Sequence, residues 1–553
     1  MPPAAEAVAG ANPFVGLTPR QVGAAGGRWA LNLARKPTVL AATALEMAGT
    51  QVRIGMGRGP KGIDAKDARF ADPAWQHPLW HRVAQSYLAA AAGLLSTVDE
   101  VDLDAKSADR ARFALMQLTE AAAPTNYLAT NPVAMKRAVA TRGRSLINGA
   151  RHRVHDVRRN GGMPSQVDTR PFRVGETIAV TPGAVVHRTE MYELIQYEPT
   201  TPSVRQRPTV VVPPQVNRFY FLDLAPGRSF VEHAVASGLQ VFLISWRNPG
   251  PLQRHWGLDA YAASVIEAME IAADIAGSDD VNTLSLCAGG MTTSAVLAHL
   301  AHTKRPLVNA AGLAVTTIDT GVKSALNAFV SERSVKASLG RSNRAGVLPG
   351  RDLARVFAWV RPNDLIWRYW VNNYLMGENP PAFDVLAWNA DSTNMPAALH
   401  AEFLRLFVDN ALVTPGALTV LDSPVDLRLV RNDLYVVGAL TDHLVPWQSA
   451  YAATQHFGGE VRFVLSNSGH IQALINPPGN PKASFWVGQD RPREPEQWLK
   501  GATRTIGSWW TDWAAWSIDR SGSERPRPRR LGSRRHPVLD AAPGHYVKES
   551  PRL

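Results

Sequence analysis

The sequence predicts an α/β protein: a doubly wound, mostly parallel sheet preceded by a mainly helical region. Three observations carry this reading. Beyond Phe172, short apolar, β-branched segments alternate with helical ones. Several of those segments are apolar without alternation, as strands buried on both faces tend to be. One intervening helix is legible end to end, with Asp259 as its cap, AYAASVIEAMEIAADIA (260–276) as its body and Gly277 as its stop.

Taken in order, residues 1–170 read as a mainly helical domain. WQHPLWHRVAQSYLAAAAGLLSTV (75–98) and SADRARFALMQLTEAA (107–122) place apolar residues at helical spacing. The glycine-rich stretch Gly55–Gly62 contains a lysine but lacks the GKS or GKT ending of a phosphate loop, so it reads as a flexible connection. Residues 171–519 form the sheet domain. Its strand candidates are ETIAV (176–180), MYELIQY (191–197), PTVVVP (208–213), QVFLISW (240–246), VNTLSL (281–286), LVNAAGLAV (307–315), DLYVVGAL (433–440) and EVRFVLS (460–466). Strand signals fade over about 320–423, a stretch rich in Trp, Asn, Pro and Phe that reads as a lid or cap, or else as a static packing layer or subunit interface. The core ends in a Trp-rich helix, GSWWTDWAAW (507–516), followed by a basic tail, 520–553.

The chain has 553 residues, 45% hydrophobic and 19% charged, long enough to bury a large core. Its net charge of +12 is local. Residues 131–160 carry eight Lys and Arg against Asp156 alone, and 520–553 carry nine against Glu524, Asp540 and Glu549; these two segments supply the whole positive excess. The first reads as a helix whose basic face is solvated or attracts a phosphate-rich ligand. The second alternates Pro and Arg and reads as disordered, a solvated tail in preference to a polyanion-binding arm. No nucleic acid partner is expected. The start of the chain lacks the basic and apolar pattern of a signal peptide, and YLAAAAGLL (87–95) is too short for a membrane span. One cysteine, Cys287, excludes an intramolecular disulfide and a Cys-rich zinc site, and fits a reducing cytoplasm. No metal or cofactor site is visible.

The chemistry concentrates around Cys287. An apolar strand runs into Cys287-Ala288-Gly289-Gly290 and then into a helix. A lone cysteine is more often a small buried hydrophobe. This context matches the nucleophile elbow of α/β-hydrolases, with Cys in place of Ser. Such a turn is strained and tolerates only small neighbours, which Ser285, Ala288, Gly289 and Gly290 are. It also aims a helix N-terminus at the reacting sulfur, favouring negative charge there. The Ala288 amide is one oxyanion donor; the loop after PTVVV supplies the other, with Val216 the candidate. The order nucleophile, acid, base then selects Asp442 and His470, each just past a late strand. His443 beside Asp442 is the competing base, or a pocket residue.

These residues, together with RFADPAW (69–75), NGGMPSQVD (160–168), PPQVNRFYFLDL (213–224), VFLISWRNP (241–249), SLCAGG (285–290), RPNDLIWRYWVNNYL (361–375), TDHLVPW (441–447) and NSGHIQALINPPGNPK (467–482), make the chain resemble the single-subunit polyhydroxyalkanoate synthases, the poly(3-hydroxyalkanoate) polymerases. The resemblance runs from about Arg69 to Trp516. Ser285 stands where the family's G-x-C-x-G-G box begins with glycine. The resemblance implies polymerisation of (R)-3-hydroxyacyl-coenzyme A with release of coenzyme A, which is substrate carrier and product, not cofactor. It implies Cys287 as acyl-accepting nucleophile, His470 as general base and Asp442 as third member, either orienting His470 or activating the 3-hydroxyl. It also implies a homodimer, association with polyester granules and their coat proteins, and pocket or interface contacts from Asn217, Trp367, Trp370 and Tyr374. The Cys-Ala-Gly-Gly form and WNADSTNMPAALH (388–400) look more like the medium-chain enzymes. A thioesterase or polyester depolymerase is the alternative enzyme, and an inactive granule scaffold the alternative of another kind.

Overall fold

A computed structural model describes residues 19–59, 67–322 and 332–549. The signal-peptide reading of the first residues, the lysine-bearing end of the glycine-rich loop, part of the 320–423 insertion and the last four residues of the tail lie outside the described residues. The chain divides into two compact units: Met1–Asp168 with Ala325–Ser338 and Asp352–Phe383, and Thr169–Ser324 with Leu339–Arg351 and Asp384–Leu553.

The first unit is helical, as expected: α1 (Pro19–Ala34), α2 (Pro37–Gly55), α3 (Pro78–Glu100), α4 (Ala105–Ala121), α5 (Pro132–Ala140) and α6 (Arg144–Arg159). Proline opens α2, α3 and α5, where its missing N–H costs nothing. Asp104 and Asn131 cap α4 and α5. The basic stretch 131–160 is two helices, because Arg142 and Gly143 both take positive φ (50° and 80°). Part of the insertion belongs to this unit. Tyr374 donates to buried Asp156 at 2.7 Å, Asn373 to the Ser165 carbonyl at 2.7 Å, and Gly149 accepts the Tyr374 backbone where a Cβ would lie 2.0 Å from its oxygen. The insertion is therefore shared between the units.

The second unit is built on an eleven-stranded sheet. Its strands are β1 (Gly183–Arg188), β2 (Tyr192–Tyr197), β3 (Thr209–Val212), β4 (Val241–Trp246), β5 (Val281–Leu286), β6 (Val308–Ala314), β7 (Asp433–Ala439), β8 (Val461–Ser466), β9 (Ser484–Val487), β10 (Thr503–Ile506) and β11 (Asp540–Ala541). The order is β10-β9-β8-β7-β6-β5-β3-β4-β2-β1-β11. The six strands from β8 to β4 are parallel, and antiparallel strands close both flanks. Seven of the eight strand candidates appear. ETIAV does not: Ala179 takes φ 54°, and only an isolated bridge joins Ile178 to Val174. Helices α7 (Leu258–Ala276) and α8 (Ala288–His302) follow β4 and β5. Gly277 ends α7 at φ 59°, as expected, but Gly257 is its cap residue; Asp259 sits in the first turn and accepts from the Leu421 amide at 2.9 Å. The Trp-rich helix α9 (Trp509–Arg520) buries Trp509, Trp510 and Trp513 against Phe230, with ring centroids 4.8–6.0 Å apart.

The tail is not disordered over its described part. Glu524–Pro526 pairs with Ser203–Arg205, β11 pairs with β1, and Tyr546 and Val547 are buried. Its ordering comes from backbone ladders and from apolar side chains beyond the Pro-Arg run, where the segment's average composition hides them. Among the described residues no helix is long and apolar enough to cross a membrane.

Candidate active site

The site forms at the C-terminal ends of the parallel strands, where open α/β sheets place their chemistry. Val212 pairs with Ser285, Leu286 with Ala314, Val437 with Ala314 and Ala439 with Ser466, so β3, β5, β6, β7 and β8 end along one edge. Cys287 leaves β5 as the cap residue of α8 at φ 51°, ψ −121°. A non-glycine residue there is strained, and its amide is held by the Ala314 carbonyl at 2.9 Å. Cys287 as a residue is half-buried and is not disulfide-bonded.

The small residues of the elbow are required by contact. A Cβ on Gly289 would lie 2.5 Å from the Val212 carbonyl oxygen and 2.6 Å from that of Pro213; one on Gly290 would lie 2.0 Å from Thr316 Oγ1. Gly289→Ala is expected to destabilise the fold by about 3 kcal/mol, because backbone on the opposing side cannot yield; equilibrium denaturation checks this. Ser285 is fully buried and donates to Thr293 Oγ1 at 2.8 Å, which lets serine stand in the glycine position. Ser285→Gly is expected to cost about 1 kcal/mol of stability and to leave turnover within about 2-fold, read by unfolding and rate together.

Asp442 and His470 follow β7 and β8. The Asp442 carboxylate is fully buried and divided between two tasks. Its Oδ1 accepts from the amides of Leu444 (2.8 Å) and Val445 (3.0 Å), and its Oδ2 meets His470 Nδ1 at 2.6 Å. Cys287 is the second group that acts on the ring. Burial works to discharge the ring, but the Asp442 carboxylate and the Cys287 sulfur outweigh it through charge and hydrogen bonds, and His470 is pushed up to about 10. His470, not the adjacent His443, is the histidine that joins Asp442 to the sulfur.

Val216 and Asn217 lie in the loop after β3, both half-buried, with Asn217 at φ 66°. The loop runs beside the first turn of α8. Gln215 Nε2 donates to Thr292 Oγ1 at 3.0 Å, and Trp246 Nε1 to the Pro213 carbonyl at 3.0 Å. Trp367, Trp370 and Tyr374 belong to the first unit, where they pack on one another and Arg153 stands 5.2 and 5.5 Å over the Trp370 and Tyr374 rings. Trp370 Nε1 donates to the Asn126 carbonyl. Residues the sequence reading did not single out are Gln215, Thr292, Thr293 and Thr316, which brace the elbow; their signal was only their place inside or beside the motif stretches. Among the described residues no three His, Cys, Asp or Glu side chains stand grouped as metal ligands.

Residues 66–234 match the family model described as the N-terminus of poly-beta-hydroxybutyrate polymerase (PhaC), and residues 223–477 match that of the alpha/beta hydrolase fold. The sheet domain is an α/β-hydrolase core. The chain is 43% identical over 548 residues to poly(3-hydroxyalkanoate) polymerase 1 of Ectopseudomonas oleovorans, covering 99% of this chain and 98% of that one. It is 42% identical over 490 residues to the poly(3-hydroxyalkanoate) polymerase subunit PhaC of Cupriavidus necator, covering 87% and 83%. Among solved structures, the monoacylglycerol lipase of Paleococcus ferrophilus aligns over 60% of this chain and 100% of its own, with a TM-score of 0.34 and 11% identity.

Proposed function

We propose that this chain, which belongs to the poly(3-hydroxyalkanoate) polymerase family, joins (R)-3-hydroxyacyl units from coenzyme A thioesters into a polyester through an acyl-Cys287 thioester. The observation that carries the proposal is the Cys287–His470–Asp442 relay at the elbow, with Nδ1 of His470 2.6 Å from Asp442. The Cys287 sulfur attacks the thioester carbonyl, and the oxyanion that forms is met by the amides of Ala288 and Val216. The tetrahedral species expels the coenzyme A sulfur, which takes a proton from His470. A 3-hydroxyl then attacks the acyl-cysteine, its proton passes to His470, and the cysteine sulfur leaves as the ester forms.

A cysteine nucleophile suits this sequence of steps. Exchange of one thioester for another keeps the acyl group activated, and ester formation is then downhill. With one cysteine in the chain, any scheme that passes the polymer between two thiols needs a second copy of the chain. Both Asp442 oxygens are occupied, which supports an orienting role over direct activation of the 3-hydroxyl. Coenzyme A enters as part of the substrate and leaves as product. The nascent polyester would place the enzyme on granules in the cytoplasm, with their coat proteins and a second copy of the chain as partners.

The test supplies purified protein with short- and medium-chain (R)-3-hydroxyacyl-coenzyme A and follows free thiol and turbidity. Thiol and polymer together are expected, with the medium-chain substrates turned over faster. Thiol without polymer would point to a thioesterase, and neither to a granule scaffold.

A further inference from the structure

We infer that the segment 540–549 positions the oxyanion loop by gripping Arg218, so that acyl transfer depends on a stretch of chain far from the site in sequence; this rests on the reading of Val216 as an oxyanion donor. Arg218 directly follows Val216 and Asn217. Its side chain is only 3% exposed, and its guanidinium ends on this segment: Nη1 donates to the Tyr546 carbonyl at 2.8 Å and Nη2 to the Glu549 carbonyl. The remaining Nε lies 3.4 Å from Asp391, a carboxylate it shares with the Tyr220 hydroxyl. Trp388 holds the Arg218 carbonyl at 2.7 Å.

The segment is itself well anchored. Strand β11 pairs with β1, the amides of His545 and Tyr546 donate to Glu193 at 3.0 Å, and the Tyr546 ring lies 5.1 Å from the Arg247 guanidinium. Arg247 also meets the Glu549 carboxylate at 3.1 Å. The loop is thus pinned at its start by Trp246, at its middle by Gln215 and at its end by Arg218. The third pin relies on two carbonyls that no element of the parallel sheet supplies. A buried guanidinium deprived of them must move toward water or leave donors unpaired. Either response turns the peptide units of Asn217 and Val216, where the φ of 66° at Asn217 leaves little freedom. Arg218 is a positioning residue: it acts on the amide of Val216 and touches no reacting atom.

The experiment compares the full chain with one ended after Ala542, which keeps β11, with Arg218→Met, and with both changes together. Three properties are read: unfolding by denaturant, alkylation of Cys287 by iodoacetamide, and kcat and KM for (R)-3-hydroxybutyryl-coenzyme A. Expected are cooperative folding, alkylation within ~2-fold of the full chain, kcat lower by ~100-fold, the typical loss of one oxyanion donor, and KM held. The double change is expected to be no worse than either single one, since both break the same contact. A folded shortened chain with kcat within ~3-fold of the full chain overturns the inference. So do additive losses, or an alkylation rate that falls in parallel with kcat. A full chain that releases no coenzyme A overturns the polymerase reading and this inference with it; an active full chain matched by an equally active shortened one overturns this inference alone.

Discussion

Replacing Cys287 with alanine is expected to lower coenzyme A release by ~10⁴-fold or more and to leave no polymer, as loss of a nucleophile does in triad enzymes. The reason is that the chain has no substitute. Cys287 is its single cysteine, and it alone occupies the strained position at φ 51° between β5 and α8. Cys287→Ser is expected to fail as a polymerase for a different reason. A serine acyl-enzyme is an oxygen ester, so the driving force for the next ester bond is spent one step early. The two variants separate the roles: alanine should release no thiol burst, whereas serine should release up to one equivalent slowly and then stall. Stopped-flow thiol release with turbidity distinguishes them, and continued polymer growth in either variant would contradict the assigned nucleophile.

Asp442→Asn is expected to lower kcat by ~10³- to 10⁴-fold and to move the alkaline limb of the rate profile to lower pH. The sign follows from the causes acting on His470. Burial lowers its proton affinity, while Asp442 and Cys287 raise it, with a net position of about 10. The ring therefore keeps its proton through neutral pH and loses it as pH rises through about 10, and protonation of the departing coenzyme A sulfur fails above that point. Neutralising Asp442 removes the leading favourable cause and leaves the burial penalty in place, so the proton is lost at lower pH. A kcat profile from pH 6 to 11 checks this; an alkaline limb unmoved in the variant would show that Asp442 does not act through His470.

The catalytic half of this picture was legible in the sequence because it is local. Cys287, Asp442 and His470 each follow a segment that reads as a strand, and the elbow's size constraint shows in its small residues. The order of the triad also selects His470 in the sequence, with His443 beside Asp442 as its competitor; what the sequence does not show is the contact itself, which the pairing of β7 with β8 makes by bringing His470 to Asp442. Distant partners were equally hidden. The aromatics of 361–375 show in the sequence, but their partners Asn126, Arg153 and Asp156 do not. Edge strands lacked a signal: β10 reads TRTI and is exposed throughout, so no apolar alternation marks it. The tail misled because Pro and Arg dominate its composition, while Tyr546 and Val547, which lie beyond that run and are buried, escape notice.

The acyl-Cys287 thioester is best tested by acid quench of the protein during turnover of (R)-3-hydroxybutyryl-coenzyme A, followed by mass spectrometry of its peptides. The mechanism predicts hydroxybutyryl mass on the peptide that contains Cys287, removed by hydroxylamine and absent from Cys287→Ala. Acyl mass on any other peptide, or polymer formed with Cys287 never acylated, would contradict it.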